Sequence, residues 1–316
     1  MHTQTAAATL AFQSNPVTSY GPVTLPVPGR EVDLQMRVSA PAKGDHLPII
    51  LLSHGHGRSN FLSSMRGYGP LVDYYAAQGF VVIQPTHQNS KALAVEVTGS
   101  DRQLFWRSRA ADMHFIIDHL DEIEAAVPGL AGRLAKDRIA VVGHSMGGHT
   151  AAMLAGMSVT DPDDGTVVRM EEPRIKAFVL FGAPGQGDLA DFAAQHYPVF
   201  KGTDFSTMTR DALVVNGDKD KNPNFSDRDQ WRADAFYKSP GPKSLLTVFD
   251  GEHIFGGISG YDTNETTDDS PERVLFVAEA TVAYLRTALE ADDGSWDAFQ
   301  STLRDNPSAQ GRVESR

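Results

Sequence analysis

A chain of 316 residues, 41% hydrophobic and 22% charged, has the composition of an ordinary globular protein and enough length to bury one large core. Its 40 acidic against 28 basic side chains give a formal charge of −12, which would be repelled by nucleic acid and by an anionic membrane surface. There is no cysteine, so disulfides, thiolate catalysis and Cys-ligated zinc are excluded.

The first 20 residues read as an irregular extension. "MHTQTAAATLAFQSNP" has neither a basic n-region nor a sustained apolar run, so it does not read as a secretory signal, and no window approaches a membrane span. Cytoplasm is the default compartment, and secretion stays open if a leader has been removed. "EVDLQMRVSAP" alternates and predicts an early antiparallel strand, whereas "LPIILLSHG" is a continuous apolar run, as for a strand buried on both faces. "GPLVDYYAAQG" predicts a helix closed by Gly79, "FVVIQP" a strand, and "DRQLFWRSRAADMHFIIDHLDEIEAAV" one long helix. After these come "RIAVVG" as strand, "SMGGHTAAMLAGM" as helix, "IKAFVLFG" and "DALVVNG" as strands, "RDQWRADAFYK" as helix and "SLLTVFDG" as strand. A last helix, "PERVLFVAEATVAYLRTAL", has Ser270 as N-cap and Pro271 at its first position. Residues 1–291 are thus expected to form one domain, and 292–316 a short helix around Trp296 and Phe299 followed by a frayed polar tail. Strands alternating with helices predict an α/β fold: a mostly parallel sheet covered on both faces, with its site at the carboxyl ends of the strands.

One joint carries chemistry. In Gly143-His144-Ser145-Met146-Gly147 a serine lies between an apolar strand and a helix of small residues. A serine hydroxyl is a weak nucleophile until it is exposed on a sharp turn, in reach of a base and beside an oxyanion site. In this strand-turn-helix context the chain order should then run serine, acid, histidine. Of the 11 histidines, His149, His196 and His253 follow Ser145, and only His253, in "FDGEHIFGG", lies beyond the later strands. The acid should end an earlier strand. "LVVNGDKDKNP" offers Asp220 to orient His253, with Asp218 expected to satisfy loop amides and Asp188 as a third candidate. An oxyanion hole needs two converging amides: Met146 at the helix N-terminus supplies one, and His56 in "SHGHG" the other, with Gly57 as the alternative.

Taken together, "SHGHG", "GHSMGG", "NGDKD" and "GEHIFGG" resemble the α/β-hydrolase superfamily from about residue 30 to about residue 290. Within it they are most similar to the branch of dienelactone-hydrolase-like proteins, chlorophyllase-like esterases and platelet-activating-factor acetylhydrolases. The resemblance implies an α/β-hydrolase fold and a serine esterase; no insertion between the nucleophile helix and the last strands is long enough for a large lid, and acyl transfer by such a triad needs no metal or organic cofactor. Two departures bear on what carries over. Dienelactone hydrolases use a cysteine nucleophile, absent here. The acetylhydrolases take their acid from the strand directly after the nucleophile helix, where this chain reads "VLFGAPG" with no Asp at the strand end, which favours Asp220. "GHSMGG" also occurs in cutinase-like polyester hydrolases, which keeps a polyester substrate open, and an open, acidic, lidless cleft would equally suit short-acyl, aromatic, lactone and chlorophyll-like esters.

Phe61, Tyr68, Phe255 and Tyr261 come from loops on the site side and are candidates to line a pocket with Gly57. The partner implied is a small-molecule ester, with no nucleic acid and no stable membrane insertion, and the oligomeric state is unreadable. Two rivals stand beside the esterase. His54-x-His56 with His87 and an Asp could hold the metal of a metal-dependent hydrolase, or the fold could be a noncatalytic receptor for a small apolar ligand.

Overall fold

The computed structural model describes residues 14–96, 104–260 and 263–316. Its centre is a nine-stranded sheet built from β1 (Val17–Leu25), β2 (Leu34–Pro41), β3 (Leu47–Ser53), β4 (Val81–Thr86), β5 (Leu134–His144), β8 (Ile175–Phe181), β10 (Ala212–Gly217), β11 (Lys243–Val248) and β12 (Gly311–Ser315). The order is β1-β2-β4-β3-β5-β8-β10-β11-β12. The strands from β4 to β11 pair in parallel, while the edge pairings β1–β2, β2–β4 and β11–β12 are antiparallel. The mostly parallel sheet read from the sequence is present, and "EVDLQMRVSAP" supplies the antiparallel β2.

The apolar runs are continuous because each central strand feeds two cores. In β3, Ile49 and Leu51 join the cluster packed under helices α2 (Trp106–Asp118), α3 (Leu120–Ala126) and α4 (Met146–Leu154). Ile50 and Leu52 point the other way, toward α1 (Gly69–Ala77), α7 (Pro271–Leu289) and α8 (Ser295–Asp305). α7 begins as its sequence requires, with the Ser270 hydroxyl accepting the Arg273 N–H at 3.2 Å and Pro271 in the first turn. Between α4 and β10, apart from the central strand β8, the described chain holds only short elements. These are a small sheet of β6 (Ser158–Thr160), β7 (Val167–Val168) and β9 (Thr203–Asp204), the helix α5 (Asp191–His196), and two short 3-10 turns.

Four expectations are corrected. Residues 17–20 are not irregular: they begin β1, whose register on β2 is interrupted between Tyr20 and Val23. The final residues are not a frayed tail. Gly311–Ser315 pairs with the outer edge of β11, and Arg316 exchanges backbone hydrogen bonds with Lys243 at 3.0 Å, so a polar segment is ordered by an edge that needs a partner. The long helix breaks at His119, where the ring stacks on Phe115 at 3.9 Å and its Nδ1–H donates to the Phe115 carbonyl at 2.7 Å, holding that turn apart from α3. "RDQWRADAFYK" forms a 3-10 turn (Trp231–Ala233) and then the short α6 (Asp234–Lys238). Among the described residues no helix is long and apolar enough to cross a membrane.

Candidate active site

The turn between β5 and α4 is shaped by close contacts. Ser145 takes φ 55° and ψ −117°, outside the regions a serine ordinarily adopts, and its N–H donates to the Phe181 carbonyl of β8 at 2.8 Å. A side-chain carbon on Gly143 would lie 2.0 Å from the Gly147 carbonyl oxygen, and one on Gly147 would lie 1.9 Å from the Ser53 carbonyl oxygen. Both glycines therefore let backbone pass backbone, which seats the start of α4 against the end of β3 and raises the serine at the carboxyl end of the sheet.

Three side chains from the ends of three strands join there. The Ser145 hydroxyl lies 2.9 Å from His253 Nε2, and His253 Nδ1 lies 2.9 Å from Asp220 Oδ2. Asp220 carries its other oxygen 2.8 Å from Arg232 Nε. Burial by itself would raise the Asp220 carboxyl, but the charge of Arg232 and the hydrogen bond from His253 outweigh it and hold the group below the usual aspartate value. An ionised Asp220 only accepts, so His253 Nδ1 bears the proton and Nε2 faces the serine as an acceptor. Asp218 is exposed, and Asp188 pairs with Arg228 at 2.9 Å, leaving the imidazole to Asp220.

Three supports of this line carried no signal in the sequence. Arg232 is buried, and besides Asp220 it donates to the Gly182 carbonyl at 2.8 Å, yet within "RDQWRADAFYK" it reads as one more cation on a short helix. Gly182, at φ 49°, directly follows β8 and lies close against the pair: a side-chain carbon there would lie 2.9 Å from Asp220 Oδ2 and 3.2 Å from His253 Nδ1. Asp268 Oδ2 accepts the N–H groups of Glu252 at 2.9 Å and Gly256 at 3.0 Å, one on each side of His253, and Arg273 braces it at 3.0 Å.

On the other flank, Met146 begins α4, where a first-turn N–H has no intrahelical acceptor and the helix dipole favours negative charge. The loop after β3 carries His56 and rests on Arg109, which is fully buried. Arg109 donates to the His54 carbonyl, to Ser53 Oγ at 3.3 Å, to Thr150 Oγ1 at 3.1 Å and to Asn89 Oδ1 at 2.6 Å. Because Arg109 holds the Asn89 oxygen, the Asn89 amide must donate to His56 Nδ1, 3.0 Å away. The His56 imidazole is pushed down to about 4, by burial first and then by the charges of Arg109 and Lys91, so it is neutral with its proton on Nε2.

The candidate pocket residues divide. Gly57 is half-buried against Leu62 and Phe61 is 50% exposed, near Gly260. Tyr68 and Phe255 are both 0% exposed and are corrected from pocket to core. The Tyr68 hydroxyl is spent on Gly55 and His144, and the Phe255 ring packs edge-on against Phe181 at 5.5 Å and His144 at 6.3 Å, so neither has a face to offer a substrate. Tyr261 lies outside the described residues.

The rival histidine set is engaged elsewhere. His54 Nε2 accepts the His87 N–H at 3.0 Å, while His87 bonds Asp112 at 2.7 Å and Ser53 at 3.0 Å. Among the described residues no three His, Cys, Asp or Glu side chains are gathered as metal ligands.

In comparisons with known proteins, no curated protein matches the chain. Residues 49–308 match the family model described as "Alpha/beta hydrolase family". That match spans most of the sheet, the strained serine turn and the loops that carry His253 and Asp220, and the chain belongs to the alpha/beta hydrolase family.

Proposed function

We propose that the protein is a serine esterase that cleaves carboxylic esters through an acyl-enzyme, with Ser145 as nucleophile, His253 as general base and acid, and Asp220 as the orienting carboxylate. The observation that carries this reading is the unbroken line of hydrogen bonds from the Ser145 hydroxyl through His253 to Asp220, 2.9 Å at each step. The Met146 and His56 amides are assigned to the oxyanion. Family membership supports hydrolysis, and the choice of ester follows from the sequence resemblance.

In the first half-reaction Ser145 Oγ bonds to the ester carbonyl carbon while its proton passes to His253 Nε2, and the carbonyl oxygen takes up negative charge facing the two amides. Asp220 stabilises the imidazolium without taking its proton. Collapse breaks the bond to the leaving oxygen, which departs with the proton from His253. Water then gives its proton to His253 and its oxygen to the acyl carbon, and the carboxylic acid leaves as Ser145 regains its hydrogen. Short-acyl, aromatic, lactone and polyester substrates all fit a site with only short elements inserted after the nucleophile helix.

A panel of p-nitrophenyl esters of increasing acyl length, followed by bulky aromatic diesters, tests the reading. Wild type should turn over at least one of them, and Ser145→Ala should lose about 10⁶-fold in kcat with Tm nearly unchanged. Retained turnover in Ser145→Ala would remove the serine from its role.

A further inference from the structure

The two flanks of the site belong to loops far apart in sequence, and buried side chains connect them. The Gly55 N–H, next to His56, donates to the Tyr68 hydroxyl at 2.9 Å. That hydroxyl lies 2.8 Å from His144 Nδ1, and His144 Nε2 lies 2.8 Å from the backbone oxygen of His253 itself. The polarities follow from the partners, with the Leu62 carbonyl a more distant second acceptor for the Tyr68 hydroxyl at 3.3 Å. A carbonyl can only accept, so His144 Nε2 carries the proton. Burial drives the His144 imidazole down to about 3, so it is neutral and its Nδ1 must accept. Tyr68, kept protonated by its own burial, is then the donor. No member has freedom to turn: Tyr68 is 0% and His144 2% exposed.

We infer that Tyr68 and His144 are positioning residues that tie the oxyanion loop to the backbone of His253, so that the donors to the oxyanion and the base that serves Ser145 are held in one register. The inference rests on the serine-esterase reading. Arg109 braces the oxyanion loop from below and Asp268 braces the histidine loop from outside, whereas the Tyr68–His144 pair touches both. A link of this kind acts where geometry is most demanding, since misplacement by about 1 Å can cost on the order of 10²-fold in rate while ground-state binding is little changed. His144 also directly precedes Ser145, so the link is anchored on the strained turn that carries the nucleophile.

The competing account is that these are core hydrogen bonds whose loss merely leaves buried polar groups unsatisfied. Tyr68→Phe and His144→Gln separate the two, with Tyr75→Phe as control. Tyr75 is equally buried and its hydroxyl bonds Thr281 at 2.8 Å, away from both loops. Each variant is scored for Tm, for the number of sites titrated by a serine-directed phosphonate, and for kcat and KM on p-nitrophenyl acetate or the best ester of the panel. Tyr68→Phe and His144→Gln should each lower kcat per titrated site by about tenfold or more with KM within about twofold, and the double variant should lose little beyond the worse single one. Tyr75→Phe should keep kcat per site even where Tm falls. If Tyr68→Phe fails to fold, His144→Gln carries the same test, because its amide can still reach the His253 carbonyl while the Tyr68 end is lost. Full kcat per titrated site in both variants, whatever their Tm, overturns the positioning role. Should Ser145→Ala remain active in this assay, the serine reading falls and this inference with it; Ser145→Ala inactive with intact kcat in Tyr68→Phe and His144→Gln defeats the inference alone.

Discussion

The serine turn and the histidine loop bring their side chains to the same point by opposite means. At the turn the backbone is shaped by repulsion: atoms added at Gly143 or Gly147 would fall within 2.0 Å of a carbonyl oxygen, and Ser145 is left at φ 55°. The histidine loop is shaped by attraction. Asp268 collects the amides on both sides of His253, His144 holds its carbonyl, and Asp220 with Arg232 sets its ring. Steric exclusion is steep and local, so a few neighbouring glycines are enough to announce it. Hydrogen bonds recruit partners from anywhere along the chain, and their absence weakens a geometry where a clash forbids it.

That contrast predicts a ranking. Gly147→Ala drives a methyl group into the Ser53 carbonyl and should cost about 3 kcal/mol or more in stability and leave no measurable turnover; a folded, active Gly147→Ala enzyme would mean the turn is softer than its contacts require. Asp220→Asn keeps the shape but removes the charge that fixes the imidazole tautomer, so kcat should fall by about 10⁴, and a comparable loss in Asp188→Asn instead would reassign the acid. Asp268→Asn should be milder, about tenfold in kcat with a small rise in KM, because two amides and Arg273 lose a charged acceptor while the direct line from Ser145 to Asp220 persists. A drop as large as that of Asp220→Asn would show the loop to be far less supported than its other bonds indicate.

The smallest effect lies away from the site. Glu172 is held down to about 2, chiefly by its hydrogen bonds from Arg174 and then by the Arg174 and His114 charges, which outweigh its burial. A depressed carboxylate stabilises the fold above its unfolded value and ceases to do so as the pH falls through its folded value. Glu172→Gln should therefore lower Tm by about 3 °C at neutral pH and leave kcat unchanged, and the gap from wild type should close as pH falls from about 4 toward about 2. A gap independent of pH would assign the effect to packing.

The same distinction explains what the sequence disclosed. Parallel strands buried on two sides had to be continuous apolar runs, and β3, β4, β5, β8, β10 and β11 each contain one. β12 could not be read this way, because "GRVES" has no strand-like pattern and is ordered only by the edge of β11. The serine turn, and the serine-acid-histidine order that brings His253 and Asp220 to it, follow from a local motif and its context. Arg232 and Asp268 do not, since each is defined by a partner on another segment. Tyr68 and Phe255 show the limit in the other direction: loop aromatics placed on the site side by chain order are turned inward, where a ring gains more by burial than by facing solvent.

The central claim is that Ser145 is the group activated by His253. Incubation with a serine-directed fluorophosphonate, followed by intact-protein mass measurement and peptide mapping, tests it most directly. One adduct per chain on Ser145, lost in Ser145→Ala and slowed by orders of magnitude in His253→Ala, is the result predicted here. Ester turnover that continues while Ser145 stays unmodified would contradict it.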